Sequence, residues 1–319
     1  MTADRDLNYY AKKFAKLRVD NAHGVAPHKP VLLLAIIEQF EKGKISRNQI
    51  HLSPELIVTF LKYWSNLVIT DHRSDIALPF FYLTGDKFWY LMANPGFEAT
   101  IATRTKIRGL VALRNAVKYA YLDDELFNLL LEASSRIQLS EVLIKIWFLS
   151  KSQQIEKLYV VDELENIQLK LFEKGGAIYT TEDVKDQDKT FVRNAAFRRI
   201  VISIYQQKCA FCKLKIVSRD SQDIVDGAHI KPFAEFHDDR FDNGIALCKN
   251  HHWAFDRGWF SISDEYKIIV PYDRFHEEAS NNMRSMRDFD GEDIILPGQD
   301  IYNPRVESLQ WHRSFWKIA

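Results

Sequence analysis

The sequence lacks three features that would each indicate a class of protein. Its longest apolar run, Val31 to Ile37, is far shorter than the roughly 20 residues that a membrane-spanning helix needs. The first residues, MTADRDLNYYAKKF, are charged and have no apolar core of the kind found in secretion signals. Net charge is also absent, because 43 basic residues balance 43 acidic ones. We therefore expect a cytoplasmic protein with no membrane partner, and the overall charge gives no indication of a nucleic-acid partner.

Cysteine is scarce, but the three cysteines have an informative spacing. Two residues separate Cys209 from Cys212, and two residues also separate Cys248 from His251. A Cys₃His set of this kind can bind Zn²⁺ tetrahedrally. The alternative is three buried thiols and a surface histidine. An odd number of closely paired cysteines fits a disulfide framework poorly, so we favour a structural zinc site in a reducing compartment.

Other candidate ligands lie beside the proposed zinc site. Residues 224–230 predict a short strand that ends near His229, and residues 249–257 predict a helix that turns His251 toward the zinc. On that helix His252 and Asp256 are four residues apart and share the other face. An imidazole and a carboxylate on one face suit a divalent cation, Mg²⁺ or Mn²⁺, that keeps water ligands. A single histidine in an apolar strand is more often simply packed, so the hypothesis depends on the whole set.

The order of three residues in this stretch resembles that of a known family. His229, Asn243 and His252 stand in the order and context found in HNH endonucleases, whose ββα-metal fold packs a two-stranded hairpin on one helix. The stretches AHIKP and HWAFDRG are similar to the restriction-enzyme branch of that family. The resemblance implies that His229 is the general base that activates water, that His252 binds the catalytic metal and that Asn243 is a positioning residue.

One position departs from the family pattern. Many relatives have an aspartate or histidine immediately before the base, where this chain has Ala228. Asp226 and Asp256 are the candidates that would complete the ligands of the catalytic metal.

The first 150 residues predict a mostly helical domain with a small β-hairpin. Helical patterns cover residues 6–18, 30–43, 53–67, 106–119, 123–134 and 139–149. Two aromatic stretches, Ile76 to Leu83 and Phe88 to Met92, predict strands that Thr-Gly-Asp-Lys joins into a hairpin. The expected fold class is α+β, with this helical domain followed by a zinc-stabilised ββα-metal domain.

The N-terminal residues carry a second resemblance. The HKP motif before an apolar helix, the Gly85-to-Trp89 motif and the Asn-Pro-Gly-Phe turn at Asn94 resemble the sulfur-binding domain of type IV restriction enzymes. Such domains bind DNA whose backbone carries a phosphorothioate. The resemblance implies a site with His28 and Lys29 near the modified linkage, Leu78, Pro79 and Tyr82 around the sulfur, and Arg104 on the DNA.

An apolar cup favours sulfur over oxygen, because sulfur is larger, softer and less strongly hydrated. Two residues depart from the family pattern, since Leu78 stands where a tyrosine is usual and Lys29 replaces arginine, which gives up a planar guanidinium. The alternative is that Pro79, Phe80 and Trp89 are simply core residues and that His28 only caps a loop.

These patterns predict three segments. Residues 1–150 would read modified DNA, residues 151–190 would form a helical and charged linker, and residues 191–319 would form the HNH domain.

The function that we favour is a type IV, modification-dependent restriction endonuclease that binds double-stranded DNA with a modified backbone. We expect a homodimer on DNA, because one HNH site cuts one strand. Three alternatives remain open at this point: a nuclease that reads methylated bases, a DNA-binding protein whose HNH domain is only structural, and an unspecific toxin nuclease.

Overall fold

The structure is a computed structural model that describes residues 5–21, 24–103, 107–149, 162–218, 222–278 and 284–318. The chain divides into two compact units. The first comprises Met1–Asn166 and Asp186–Val192, and the second comprises Ile167–Lys185 and Arg193–Ala319. The fold class is α+β, as predicted, because helices combine with small antiparallel sheets in the described residues.

The segment predicted as a linker, 151–190, is divided between the two units. Its described part contains a whole helix, Glu163–Glu173, and its last residues begin another helix at Gln187. Asp188 on that second helix is buried and accepts a hydrogen bond from the backbone amide of Ile76 (3.1 Å). The pattern in this stretch was too polar to reveal a buried helix start.

The N-terminal unit is organised around one buried helix. Helices α1 (Leu7–Ala15), α2 (His28–Glu41) and α3 (Pro54–Leu67) lie close to their predicted positions. Every residue of α2 from His28 to Phe40 is buried, as expected for a helix that is apolar on nearly all sides. Glu38 within it is neutralised by the ammonium of Lys62 on α3 at 2.7 Å, which avoids an unpaired buried charge.

The predicted strand from Ile76 to Leu83 is wrong. These residues form a short helix, α4 (Ala77–Tyr82), and a 3-10 turn over Leu83–Asp86. Pro79 lies in the first turn of α4, where its missing N–H leaves no hydrogen bond unmade, so an aromatic stretch that looks strand-like is compatible with a helix. The indole Nε1 of Trp89 donates to the Phe80 carbonyl (2.8 Å) and fixes this helix on the core.

The predicted hairpin is not formed, and the second of its two predicted strands pairs instead with a strand that follows two short helices. β1 (Trp89–Ala93) pairs antiparallel with β2 (Val117–Leu122), and Trp89 lies opposite Leu122. The helix predicted over 106–119 is therefore correct only in its middle, where α6 (Leu110–Ala116) follows the short α5 (Glu98–Ala102). The run VKYAYL is rich in β-branched and aromatic residues, and pairing with β1 outweighs the helical pattern before it. Helices α7 (Asp124–Leu131) and α8 (Ala133–Trp147) follow.

The C-terminal unit contains the hairpin and helix that the sequence predicted. β3 (Val225–His229) pairs antiparallel with β4 (Gly244–Cys248), which is buried throughout, and α12 (Lys249–Phe255) follows at once. Between the strands lie the single-turn helix α11 (Phe233–Phe236) and a 3-10 turn at Phe241–Asn243. The helices noted above at 163–173 and from Gln187 are α9 and α10 (Gln187–Ile204).

A glycine in β3 allows this strand to approach α10 closely. A Cβ on Gly227 would lie 2.7 Å from the carbonyl oxygen of Arg198, nearer than real Cβ atoms come to another atom. The hairpin and α10 therefore pack backbone against backbone at this point, two residues before His229.

The end of the chain supports the same unit. A second hairpin, β5 (Ser261–Ile262) with β6 (Ile268–Ile269), precedes α13 (Val306–Trp316). His312 on α13 is buried between the Ser261 hydroxyl (2.8 Å) and the Phe255 carbonyl (3.1 Å), and burial lowers its pKa to about 4. It is thus a neutral packing residue. In the part of the chain that the structure describes, no helix combines the length and apolar character needed to cross a bilayer.

Candidate active site and metal centre

Three thiols and one imidazole come together next to the hairpin. Cys209 and Cys212 lie on the turn after α10, Cys248 ends β4, and His251 lies in the first turns of α12. One donor atom from each residue can be chosen such that all four lie within 4.8 Å of one another. Nδ1 of His251 is 3.0 Å from the Cys248 sulfur, and Phe211 stacks on its ring at 4.1 Å.

The four groups of this cluster shift one another's pKa values. Burial alone would lower the pKa of His251, but hydrogen bonds that its ring donates to the Cys212 and Cys248 sulfurs outweigh this effect and raise that pKa to about 9. Hydrogen bonds from the Cys209 and Cys212 thiols lower the pKa of Cys248, whereas hydrogen bonds to Cys212 and Cys248 raise the pKa of Cys209. A donor set of three sulfurs and one nitrogen at this separation is compatible with Zn²⁺.

His229 lies at the end of β3 and is held by a residue that the sequence analysis missed. Its Nε2 lies 2.7 Å from Oδ1 of Asp239, and the Asp239 side chain is fully buried. Phe197 stacks on the imidazole at 4.0 Å with an interplanar angle of 6°. The other oxygen of Asp239, Oδ2, has no hydrogen-bond partner among the described residues. Within the described residues, the Asp239 carboxylate therefore hydrogen-bonds to His229 alone. The only sequence signal was the acidic pair Asp238-Asp239 shortly before the Asn-Gly turn.

Asn243 fixes the loop that follows His229. Its Oδ1 accepts the Lys231 amide (3.0 Å), and its Nδ2 donates to the carbonyls of Lys231 and Asp238 (both 3.1 Å). The side chain is completely buried, and its own carbonyl accepts the Ile230 amide. These hydrogen bonds join backbone groups at both ends of the 231–238 loop. The loop held in this way places Asp239 opposite His229. Asn243 therefore holds the backbone of this loop and does not line the cleft that contains His229.

His252 projects from α12 between two carboxylates. Its Nδ1 lies 3.5 Å from Oδ2 of Asp226, and its Nε2 lies 3.5 Å from Oδ2 of Asp256. Asp226 also pairs with Lys249, and the hydrogen bond to His252 is the main cause that lowers the pKa of Asp226 against the opposing effect of burial. The two candidates for the remaining ligand therefore contact different nitrogens of one ring.

One cleft of about 340 Å³ brings the catalytic candidates together. His229, His252 and Asp256 line it, and aromatic side chains that include Phe233, Trp311 and Phe315 form much of its remaining wall. Asp256 lines this cleft and Asp226 does not. The Nε2 side of His252 thus faces the same space as His229, and Asp256 is the carboxylate on that side.

The match to a protein family covers this part of the chain. Residues 209–263 match the family model of HNH endonucleases. The chain contains an HNH endonuclease domain. The matched segment includes the four donors of the Cys/His cluster, His229, Asn243, His252 and Asp256.

The similarity to solved structures is weak. Among solved structures the chain is similar to one described as a modification dependent TagI restriction endonuclease, with 23% sequence identity and a TM-score of 0.28. That similarity covers 38% of this chain and 37% of the other, so the chain spans little more than a third of that relative's length. No curated protein matches.

Apart from the HNH domain, a second cleft lies in the N-terminal unit and has a volume of about 570 Å³. Five of the six residues predicted around a modified linkage line it: His28, Lys29, Leu78, Pro79 and Tyr82. The sixth, Arg104, lies outside the described residues. Leu78 and Tyr82 are one helical turn apart on α4, so they face the cleft together with Pro79. The α4 helix, which the sequence analysis took for a strand, therefore still brings these three residues to one surface.

His28 and Lys29 carry little free charge in this cleft. The ammonium of Lys29 is bound to the carboxylate of Asp86 at 2.7 Å and is nearly buried. His28 donates from Nε2 to the Arg73 carbonyl (3.0 Å), and its burial lowers its pKa. Next to Leu78, Pro79 and Tyr82 the cleft therefore offers a neutral imidazole and a compensated ammonium, and Arg18, Asp20 and His72 line the rest of it with Val19 and Ala26.

Proposed function

We propose that this chain is a modification-dependent endodeoxyribonuclease whose HNH domain hydrolyses DNA and whose N-terminal unit binds a phosphorothioate linkage. One observation carries the catalytic half: His229, backed by a buried carboxylate, and the His252–Asp256 pair line the same cleft. Phosphodiester hydrolysis needs a group that removes a proton from water and a positive charge near the phosphate. The cleft has residues suited to each task.

His229 acts as the general base. With its proton on Nε2, the imidazole donates to Asp239 at 2.7 Å, which leaves the lone pair of Nδ1 free to accept a proton from water. Phe197 on one face of the ring limits its rotation. The buried Asp239 thus selects the tautomer and stabilises the imidazolium that forms.

His252 and Asp256 are the residues that would hold the catalytic cation. Nε2 and Oδ2 lie 3.5 Å apart on one side of α12, and a nitrogen with a carboxylate oxygen suits Mg²⁺ or Mn²⁺ with remaining water ligands. The cation, when bound, neutralises charge on the phosphate and on the leaving oxygen. Asp226 contacts the opposite nitrogen and fixes the orientation of the His252 ring.

The Cys/His cluster has a structural part in this proposal. Zn²⁺ held by Cys209, Cys212, Cys248 and His251 would tie the turn after α10 to the junction of β4 and α12. His252 directly follows the ligand His251, so the cluster would fix the start of α12, the helix that carries His252 and Asp256.

The apolar cleft of the N-terminal unit supports phosphorothioate binding. The cleft is lined by Leu78, Pro79 and Tyr82 next to His28, whose imidazole is neutral because burial lowers its pKa. A protonated imidazole would favour an oxygen anion over the more weakly hydrated sulfur. An apolar wall costs a phosphate oxygen its hydration and costs sulfur less.

Cleavage of modified and plain DNA tests the proposal. With Mg²⁺ or Mn²⁺, we expect the full chain to cut a phosphorothioated plasmid and to leave matched unmodified and cytosine-methylated plasmids intact. Leu78→Asn should reduce cutting of the phosphorothioated plasmid by about tenfold or more, because it places an amide against the sulfur. Leu131→Asn is the matched control, since Leu131 is half exposed and does not line the cleft. Equal cutting of all three plasmids would contradict selective recognition of the phosphorothioate.

The number of cuts predicts the assembly. One HNH cleft per chain cuts one strand, so we propose that a double-strand break needs two chains on DNA. The mass of the complex on phosphorothioated duplex, measured by light scattering after gel filtration with an inactive His229→Ala chain, should correspond to two chains. A complex of one chain, together with double-strand breaks by the active protein in single-turnover conditions, would contradict the dimer.

A further inference from the structure

A second groove of the N-terminal unit has no role in the function proposed above. Its volume is about 590 Å³, within the range of roughly 300 to 1,000 Å³ that small-molecule sites occupy. Side chains from α1, β1, β2 and the turn before β1 line it, among them Tyr9, Lys13, Lys87, Tyr90 and Tyr121. It shares no lining residue with the cleft around Leu78. The segment from Phe81 to Lys87 contributes side chains to both, so the two sites are neighbours.

The groove has an aromatic wall. Tyr90 and Tyr121 are directly opposite each other on β1 and β2, and their rings are stacked at 5.3 Å with an interplanar angle of 26°. The Tyr90 hydroxyl donates to the buried Asp123 (2.9 Å), which fixes the ring. Tyr9 is only partly buried on α1, and the buried Trp89 also borders the groove. Such aromatic surfaces stack on nucleobases of any sequence.

Two lysines lie beside these rings, and no carboxylate among the described residues forms an ion pair with either ammonium. The ammonium of Lys13 lies 5.6 Å above the Tyr9 ring and donates to the Asp86 backbone carbonyl, which is neutral. Lys87 is exposed, and the described part of the chain gives its ammonium no ion pair. Arg5 differs, because it pairs with Asp123 at 3.0 Å. The groove thus combines aromatic faces with two available cations.

We propose that this groove binds one unstacked nucleotide of DNA, with its base against the tyrosines and its phosphate near Lys13 and Lys87. A base within a duplex cannot reach an aromatic ring with its face, whereas an unpaired base can. The cations supply the backbone contact that accompanies such stacking. The proposal needs DNA as the partner, but it does not depend on which modification the neighbouring cleft reads.

Lys87 allows a substitution that removes charge without changing the backbone. Its φ of 61° lies in the left-handed region, which asparagine tolerates better than most residues. Lys87→Asn therefore deletes one cation, and Lys87→Arg keeps it. Lys317→Asn is a matched control, because Lys317 is also exposed and left-handed (φ 53°) but lies in the other unit.

Fluorescence anisotropy of the full chain with a labelled, unmodified oligothymidylate tests the groove, in a His229→Ala background that excludes cleavage. We expect Tyr9→Ala to weaken single-strand binding by about tenfold, which is typical for the loss of one stacked base. Lys87→Asn should reduce the slope of log affinity against log salt by about 0.7, the value for one lost phosphate contact on a single strand. Lys87→Arg and Lys317→Asn should leave the slope unchanged.

The matched duplex separates the outcomes. Binding of the unmodified duplex should change less than twofold in Tyr9→Ala, whose melting temperature is checked against the parent. The proposal is overturned if Tyr9→Ala and Lys87→Asn leave single-strand binding unchanged, or if they weaken duplex and single strand alike. Because the oligonucleotide carries no sulfur, failure of this test is distinct from failure of phosphorothioate reading, and loss of plasmid selectivity would leave this result unaffected.

Discussion

Asp239→Asn is expected to lower the turnover number for DNA cleavage by about 10² to 10⁴, the usual contribution of a well-oriented general base. The amide can donate to Nε2 of His229, which would move the imidazole proton to Nδ1 and remove the lone pair that accepts a proton from water. DNA affinity should stay within about twofold, because Asp239 is fully buried and cannot touch DNA. Single-turnover cleavage and anisotropy on the same duplex separate the two quantities.

The neighbouring Asp238 is the matched control for this experiment. Its carboxylate binds Arg240 (3.0 Å) and Arg305 (2.7 Å) rather than His229. Asp238→Asn should therefore lower the melting temperature of the protein while turnover falls much less than in Asp239→Asn. If both variants lose turnover equally, or if Asp239→Asn remains fully active, Asp239 has no positioning role at His229.

Removal of zinc is expected to unfold the C-terminal unit. Structural zinc sites contribute an apparent binding free energy of about 10 to 16 kcal/mol in zinc-finger peptides, which exceeds the stability of most domains. Cys212→Ser, or treatment of the wild-type chain with a strong chelator, should abolish the calorimetric transition of the C-terminal unit. The transition of the N-terminal unit should persist, because the described cluster lies entirely in the other unit.

Metal content provides the control for that result. Elemental analysis should find one zinc per wild-type chain and none in Cys212→Ser, and a thiol reagent should modify the cysteines only after chelation. A chain that contains no zinc and yet melts in two transitions would rule out a structural metal at Cys209, Cys212, Cys248 and His251.

The hairpin, the helix and the Cys/His cluster of the C-terminal unit were predictable because their signals are local. The spacing of the cysteines, the strand before His229 and the four-residue spacing of His252 and Asp256 each lie within a short segment. Asp239 was not predictable in the same way, since its pairing with His229 depends on how Asn243 holds the intervening loop. Aspartates in polar loops are common, and sequence alone does not tell which one is buried.

The N-terminal unit was harder to predict because its elements depend on partners distant in sequence. The stretch Ile76 to Leu83 has the composition of a strand, yet no strand among the described residues pairs with it, and Pro79 fits the first helical turn. β2 forms where a helix was expected, because β1 supplies its hydrogen bonds. The compensation of Lys29 by Asp86 likewise joins residues 57 positions apart.

The most direct test of the account compares wild type with His229→Ala on one phosphorothioated duplex, with strand cleavage and DNA affinity measured in parallel. We predict that His229→Ala loses cleavage by at least about 10²-fold and binds the duplex as tightly as wild type. Cleavage that persists in His229→Ala, or a wild-type chain that binds this duplex and cuts neither strand with Mg²⁺ or Mn²⁺, would contradict the assignment of His229 as the base of a hydrolytic site.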